Sequence, residues 1–122
     1  AMEYLDEGKI VIVACGSGNP FFSTDTAAIL RAVELCADAA LFAKNIDAVY
    51  TADPKKDPTA KKLDHISYDD ILKNDLTVID STAAAMGREN DLSLLLFGLN
   101  DPENIPRIVN GEKLGTIVSN ER

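Results

Sequence analysis

A glycine-containing turn followed by hydroxyl side chains and one carboxylate is the segment of this sequence best suited to chemistry. Residues 16–28 read Gly-Ser-Gly-Asn-Pro-Phe-Phe-Ser-Thr-Asp-Thr-Ala-Ala and lie between an apolar run and a helical pattern. A helix start offers unpaired backbone N–H groups and a partial positive charge, and glycines let a phosphoryl group approach the backbone closely. The segment therefore predicts a site for a phosphate-bearing ligand, with a purely structural helix cap as the alternative.

The two common nucleotide motifs are absent from this turn. Phe21 stands where the dinucleotide fingerprint needs its third glycine, and no Gly-Lys-Ser/Thr sequence of a P-loop follows. The neighbouring aromatic residues Phe21 and Phe22 suit either core filling or stacking on a base. The turn by itself therefore indicates an anion site without identifying the ligand.

Asp25, in the first predicted helical turn, allows two interpretations. A carboxylate at a helix N-terminus stabilises the helix dipole by about 0.3–1 kcal/mol without any further function. Beside a bound phosphate it would repel the ligand, unless it holds Mg²⁺ or orients a lysine. Asp25 is therefore a candidate catalytic residue as well as a candidate dipole partner.

The surrounding pattern predicts an α/β domain in which these residues follow a buried strand. Residues 10–15 form a continuous apolar run, typical of a strand buried on both faces, and a helix capped by Ser23 or Thr24 continues to about Cys36. A second strand at residues 39–43 completes a βαβ unit with a right-handed crossover. Residues 1–9 resemble the last turns of a helix that ends at Gly8.

The remaining elements alternate in the same way. The pattern predicts a long connection over residues 44–62 with a short hairpin near 48–50, strands at 63–67, 93–97 and 115–119, and helices at 68–73, 81–90 and 105–110. Asp80 or Ser81 is the expected cap of the second of these helices. The predicted fold is a layered α/β sandwich with a mostly parallel sheet flanked by helices.

Composition limits the classes of partner. The chain has 122 residues, one domain's length, and a net charge of −8, which argues against general affinity for nucleic acid or an anionic membrane surface. No apolar stretch reaches the ~20 residues of a membrane span. Cys15 and Cys36 are predicted to be buried free thiols, as in a reducing cytoplasm. His65 has no partner at metal-ligand spacing, so no protein metal site is predicted.

Three motifs in order along the chain resemble those of the bacterial uridylate kinases, within the amino acid kinase superfamily. The first is the 16–28 segment, the second is Asp-Ala-Val-Tyr-Thr-Ala-Asp-Pro at 47–54, and the third is Gly-Glu-Lys-Leu-Gly-Thr at 111–116. The resemblance implies a carbamate-kinase-like fold and transfer of the ATP γ-phosphoryl group to UMP, giving UDP and ADP, with Mg²⁺ required. Ala48 replaces a glycine that is common in the family.

The resemblance also implies roles for individual residues. Asp25 would order cationic side chains and the metal beside the transferring group. Tyr50 and Asp53 match the positions that hold the ATP adenine and ribose, and either Lys44 or Asn45 is a further ATP contact. Asp80 matches a carboxylate near the active site, although a plain N-cap is an equal alternative. The implied UMP-binding residues are Ser17, Gly18, Asn19, Pro20, Phe21, Phe22, Ser23 and Thr24.

The resemblance covers only the C-terminal half of such a kinase. The N-terminal half of the family supplies the phosphate-clamping lysine and the rest of the UMP pocket. We therefore expect residues 1–122 to be the nucleotide-binding half, without the cations that Asp25 would order and with little activity alone. The family further implies a homo-hexamer with GTP activation and UTP inhibition. Two alternatives stay open: a kinase acting on a carbamate or carboxylate, and a non-catalytic nucleotide-binding module.

Overall fold

The computed structural model describes residues 1–121 and shows alternating helices and strands. The helices are α1 (Met2–Asp6), α2 (Thr24–Glu34), α3 (Tyr68–Lys73), α4 (Ser81–Glu89) and α5 (Asn104–Val109). The strands are β1 (Ala39–Lys44), β2 (Val49–Tyr50), β3 (Lys62–Leu63), β4 (His65–Ser67), β5 (Ser93–Gly98) and β6 (Thr116–Ser119). Every helix in the described part of the chain is too short or too polar to cross a bilayer.

The main sheet has four strands in the order β1-β5-β6-β4. The β1–β5 and β4–β6 pairs are parallel, whereas β5 and β6 are antiparallel. Strands β2 and β3 form a separate antiparallel hairpin. The predicted layered α/β fold with a mostly parallel sheet and flanking helices is confirmed.

Helices α2, α3 and α4 pack together, with α2 also contacting β1 and α3 also contacting β4. Burial alternates along β1, as expected for a strand with one face against these helices. Tyr68 is fully buried, and its hydroxyl donates to the Leu92 carbonyl at 2.7 Å. Burial raises the pKa of Tyr68 to about 12, so the phenol stays a neutral donor in the core.

Most of the predicted elements are present with small boundary shifts. Helix α3 has the predicted bounds, and α1 is followed by Gly8 at φ +76°. The predicted strand at residues 63–67 is two strands, because the chain leaves the hairpin after Leu63 and joins the main sheet at His65. The Asp64 carbonyl between them accepts from the Ile117 N–H at 3.0 Å.

The predicted strand at residues 10–15 is wrong. The segment is irregular, Ile10 is 96% exposed, Ile12 is 90% exposed, and Cys15 is exposed. β1 is the end strand of the sheet and pairs only with β5 among the described strands, so residues 10–15 do not join its other edge. An apolar run forms a stable strand only where neighbouring backbone groups pair with it. The βαβ unit that depended on this strand is therefore absent.

The predicted burial of the two thiols is also wrong, and one of the two alternatives for the neighbouring aromatic residues is excluded. Helix α2 ends at Glu34, and Cys36 follows it at φ +52° with its side chain exposed, because the chain turns away from the helical face toward β1. Phe21 and Phe22 lie on the exposed turn before α2, so neither fills the core. The apolar periodicity correctly placed the helix but extended it too far.

Candidate functional site

The glycine turn before α2 is an exposed loop closed by local hydrogen bonds. The Ser17 hydroxyl accepts from the Asn19 backbone N–H at 3.1 Å. Gly18 has φ +73°, a left-handed conformation that glycine adopts without steric cost. Phe21 also adopts a positive φ of +70° and projects into solvent. The predicted residues Ser17, Gly18, Asn19, Pro20, Phe21 and Phe22 thus lie together on this turn.

Ser23 caps α2, as one of the two predicted candidates. Its side chain accepts from the Thr26 N–H at 3.1 Å, and Thr24 is the first helical residue. An N-cap of this kind satisfies one of the four unpaired donors at the helix start. The N-terminus of α2 is thus held at the end of the glycine turn, with Asp25 in its first turn.

Asp25 is paired with a lysine from the end of the neighbouring strand. The Lys44 Nζ lies 2.6 Å from Asp25 Oδ2, and the two side chains are 27% and 21% exposed. Lys44 is the last residue of β1 and lies opposite Gly98, the last residue of β5. The carboxyl ends of parallel strands are where α/β proteins place ligands. The pair sets a cation beside the carboxylate at this edge of the sheet.

This pair corrects the expectation that the cations ordered by Asp25 lie outside the chain. Lys44 donates to Asp25, and its predicted role as an alternative ATP contact stays a prediction. The Nζ is also 5.7 Å from the centroid of the Phe42 ring, within cation–π range. The sequence signal was the position of a lysine at the end of an apolar strand, where the strand leaves the core.

Asp80 connects the starts of two helices. Its Oδ1 caps α4 by accepting from the Ala83 N–H at 2.9 Å, and Oδ1 also accepts from the Thr26 hydroxyl at 3.0 Å. Its Oδ2 accepts from the Ser23 hydroxyl. The predicted N-cap is therefore present, and it also joins α4 to α2. A catalytic role for Asp80 stays a prediction.

The environment of Asp80 favours its ionised form. Burial by itself would raise the pKa, but hydrogen bonds from the Ser23 hydroxyl, the Ala83 N–H, the Thr26 hydroxyl and the Thr82 N–H outweigh it and hold the pKa of Asp80 below its ordinary value. Both oxygens of the Asp80 carboxylate already accept hydrogen bonds. Its geometry suits holding two helix ends in place better than accepting a proton.

Tyr50 and Asp53 line a cavity of about 610 Å³ at the hairpin. The Tyr50 hydroxyl donates to Asp47 Oδ1 at 2.9 Å, a bond that raises the pKa of Tyr50 and orients its ring. Asn45 also lines this cavity, whereas Lys44 is engaged with Asp25. Of the two predicted alternatives, Asn45 is therefore the one placed beside Tyr50.

A second cavity, of about 390 Å³, adjoins the first. It is lined by Ser23, Asp25 and Asp80, and it shares residues 75–77 with the cavity at Tyr50. The loop between α3 and α4 thus separates a polar pocket at the helix starts from a pocket with an aromatic wall. Such an arrangement can accept a nucleotide base on one side and phosphate groups on the other.

Aspartates line both cavities, but they are not clustered around one point. Among residues 1–121, no group of three or more histidine, cysteine, aspartate or glutamate side chains is placed to hold a metal ion. His65 instead lies with Nε2 2.8 Å from the Ser119 hydroxyl. A cation held only by protein side chains does not fit this donor set.

Comparison with known families now identifies the fold. The model of the amino acid kinase family matches residues 1–98, most of the chain. The chain belongs to the amino acid kinase family. The Asp25–Lys44 pair and both cavities contain residues from the matched region.

Relatives within this kinase family include uridylate kinases. The chain is 49% identical over 120 residues to the uridylate kinase of Arthrobacter sp. strain FB24 and 51% identical over 120 residues to that of Paenarthrobacter aurescens strain TC1. Each match covers 98% of this chain and 49% of the relative. The chain thus spans about half the length of these curated relatives.

A solved structure shows the same similarity. The crystal structure of UMP kinase from Bacillus anthracis superposes with a TM-score of 0.94 at 35% identity, covering 99% of this chain and 50% of that one. The arrangement of helices and strands is therefore that of half of a kinase of the amino acid kinase family.

Proposed function

We propose that this chain supplies the C-terminal, nucleotide-binding half of a UMP kinase. The reaction is transfer of the ATP γ-phosphoryl group to the phosphate of UMP, giving UDP and ADP on the route to CTP. The main support is the 2.6 Å ion pair between Lys44 and Asp25, a residue in the first turn of the helix that follows the glycine turn. The names and similarity of the uridylate kinase relatives support the choice of acceptor.

In this proposal Asp25 and Lys44 form the polar centre of the transfer site. Phosphoryl transfer depends on positioning and on positive charge near the developing transition state, with little covalent work for the protein. Asp25 holds the Lys44 ammonium at the carboxyl edge of the sheet, where it faces negative charge on the transferring group. Ser17, Gly18, Asn19, Pro20, Phe21, Phe22, Ser23 and Thr24 form the acceptor segment.

The donor nucleotide occupies the cavity at the hairpin. Tyr50 offers an aromatic face to the adenine, and Asp53 offers a carboxylate to a ribose hydroxyl. Asn45 lines the same cavity and is the proposed third contact. The shared 75–77 loop puts the phosphate end of the donor toward the cavity that contains Asp25 and Asp80.

Mg²⁺ is the metal that we propose for the reaction, bound together with ATP. Mg²⁺ sites in kinases use one or two carboxylates together with substrate phosphates, which fits the few carboxylates here. Asp25, which lines the cavity at the helix starts and has one oxygen paired with Lys44, is the proposed carboxylate for this contact, whereas both oxygens of Asp80 accept hydrogen bonds. The ion would neutralise phosphate charge during transfer.

The same family implies further properties of the complete enzyme. We propose a homo-hexamer in the cytoplasm, activated by GTP and inhibited by UTP. We also propose that the chain alone has little activity, because Asp25 is paired with one lysine, Lys44, and the net charge of the chain is −8.

The test is a coupled ADP-release assay on the chain and on a protein of the relatives' full length. UMP, carbamate and aspartate serve as acceptors. We expect turnover of UMP by the full-length protein and little by the chain alone. Preference for carbamate or aspartate would refute the choice of acceptor. Rapid UMP turnover by the chain alone would refute its dependence on the other half.

Asp25→Asn in the full-length protein should lower kcat about a hundredfold and leave KM for UMP nearly unchanged, because the amide no longer holds Lys44 beside the transferring group. Steady-state kinetics with varied UMP measures the two effects separately. Glu34→Gln on the same helix, where Glu34 pairs with Arg31, is the matched control and should retain activity. A rise in KM without loss of kcat would contradict the role of Asp25.

A further inference from the structure

Thr116 joins the β2–β3 hairpin to the main sheet through one buried hydroxyl. Thr116 is the first residue of β6 and is fully buried. Its Oγ1 donates to the Leu63 carbonyl at 2.6 Å and accepts from the Val49 N–H at 2.8 Å. One hydroxyl thus satisfies a backbone group from each strand of the β2–β3 hairpin.

The hairpin has little pairing of its own. β2 and β3 pair over only two residues each, Val49 with Leu63 and Tyr50 with Lys62, and Thr51 and Lys61 continue the contact by one more backbone hydrogen bond of 2.9 Å. A hairpin this short is marginal without outside support. Thr116 binds the first of these residue pairs, and Tyr50 in the second lines the proposed nucleotide cavity. The orientation of Tyr50 therefore depends on how Val49 is held.

The position of Thr116 is itself set by close contact between strands. Gly115 has φ +80°, and a Cβ at this residue would lie 2.0 Å from the Leu96 carbonyl oxygen. Only glycine permits this approach, and the next residue, Thr116, pairs with Leu96 across the sheet. The end of the Gly-Glu-Lys-Leu-Gly-Thr motif thus brings the Thr116 hydroxyl to the hairpin through a close approach that requires glycine at residue 115.

We propose that Thr116 is a positioning residue for the nucleotide base site, acting through Val49 on Tyr50. The inference rests on the proposed nucleotide-binding function of the cavity. Removal of the hydroxyl leaves a buried donor and a buried acceptor without partners, which favours movement of the hairpin away from the sheet. The loss of nucleotide affinity should then exceed that of an equally destabilising change elsewhere on β6.

The test measures ADP binding to the full chain by isothermal titration calorimetry. Thr116→Val keeps the size and branching of the side chain and should weaken ADP binding about tenfold, the change that corresponds to one lost buried hydrogen bond. Thr116→Ser restores the hydroxyl and should bind within about twofold of the original chain. Val118→Ala, at a fully buried position on the same strand, controls for loss of stability.

Amide hydrogen exchange at Val49 provides a readout that needs no nucleotide. Exchange should accelerate at least about tenfold in Thr116→Val and much less in Thr116→Ser. Slow Val49 exchange and unchanged ADP affinity in Thr116→Val would overturn the positioning role. A similar loss of affinity in Val118→Ala would overturn it too. If the unmodified chain does not bind ADP but Val49 exchanges fast in Thr116→Val, the nucleotide site is refuted. The role of the Thr116 hydroxyl in holding the hairpin would then still be established.

Discussion

Asp80 provides the sharpest test of how the acceptor side of the site is held together. Asp80→Ala removes the cap of α4 and also removes the acceptor of the Thr26 hydroxyl. Thr26 is buried, at 3% exposure. Loss of an N-cap costs about 1 kcal/mol, and a buried hydroxyl left without a partner costs about 1–3 kcal/mol. The exposed Ser23 hydroxyl can donate to water instead, so the loss of its bond to Asp80 adds little to the destabilisation. We expect a loss of about 3 kcal/mol in the free energy of unfolding.

Two further variants separate the energetic contribution of the α4 cap from that of the hydrogen bonds between Asp80 and the start of α2. Ser67→Ala removes the cap of α3, where the Ser67 hydroxyl accepts from the Asp70 N–H at 3.0 Å, and should cost about 1 kcal/mol. Asp80→Asn keeps a good capping side chain but loses the charge, and should also cost about 1 kcal/mol. Urea unfolding followed by circular dichroism measures all three. A loss in Asp80→Ala no larger than that in Ser67→Ala would refute the connection between α4 and α2.

The pH dependence has a definite sign. Because folding lowers the pKa of Asp80, its ionised form contributes stability above the ordinary value of 3.8, and the contribution declines as the pH falls through the lower value of the folded state. The stability difference between the original chain and Asp80→Asn should therefore shrink on acidification from about pH 7 to about pH 3. A difference that stays constant or grows would contradict the charge-assisted hydrogen bonds.

Two other predictions concern the hairpin and the core. Asp47→Asn should lower the pKa of Tyr50 toward its ordinary value, because the raised pKa depends first on the hydrogen bond to the Asp47 carboxylate, and absorbance titration of the tyrosines should detect the shift. If the Asp47→Asn variant titrates like the original chain, the Tyr50–Asp47 hydrogen bond is not the cause of the raised pKa. Gly87→Ala should lower the free energy of unfolding by about 1–2 kcal/mol, because its Cβ would lie 2.6 Å from the hydroxyl of fully buried Tyr68, a clash that costs about 2–3 kcal/mol. This cost exceeds the gain of about 1 kcal/mol in helix propensity, and a stabilising result in urea unfolding would show that the Tyr68 ring can move aside.

Local patterns in the sequence were sufficient for most of the fold. The helical pattern at residues 68–73 correctly predicted α3, and Asp80, one of two predicted caps, correctly marked the start of α4, because an N-cap acts on backbone groups two or three residues away. The apolar run of β5 likewise predicted a buried strand. These signals are short-range, so they do not depend on the rest of the structure.

The same kind of signal failed at residues 10–15, because hydrophobicity expresses a preference for burial but supplies no strand partner. It also did not reveal that Lys44 pairs with Asp25, a contact between residues from different elements. For the site, the glycine turn and the two other motifs indicated the family and the candidate residues. Whether those residues meet depends on strand order and helix packing, which are long-range.

The sequence by itself determined most of the alternation of helices and strands, the candidate caps of α2 and α4, and the chemistry available in the turn before α2. The tertiary structure alone decided which partners those groups find. Asp80 reaches Thr26 across 54 residues, and Thr116 reaches Val49 across 67. Both contacts form because packing brings the helix starts together and sets the hairpin on β6, and the buried polar groups there must then be paired with one another.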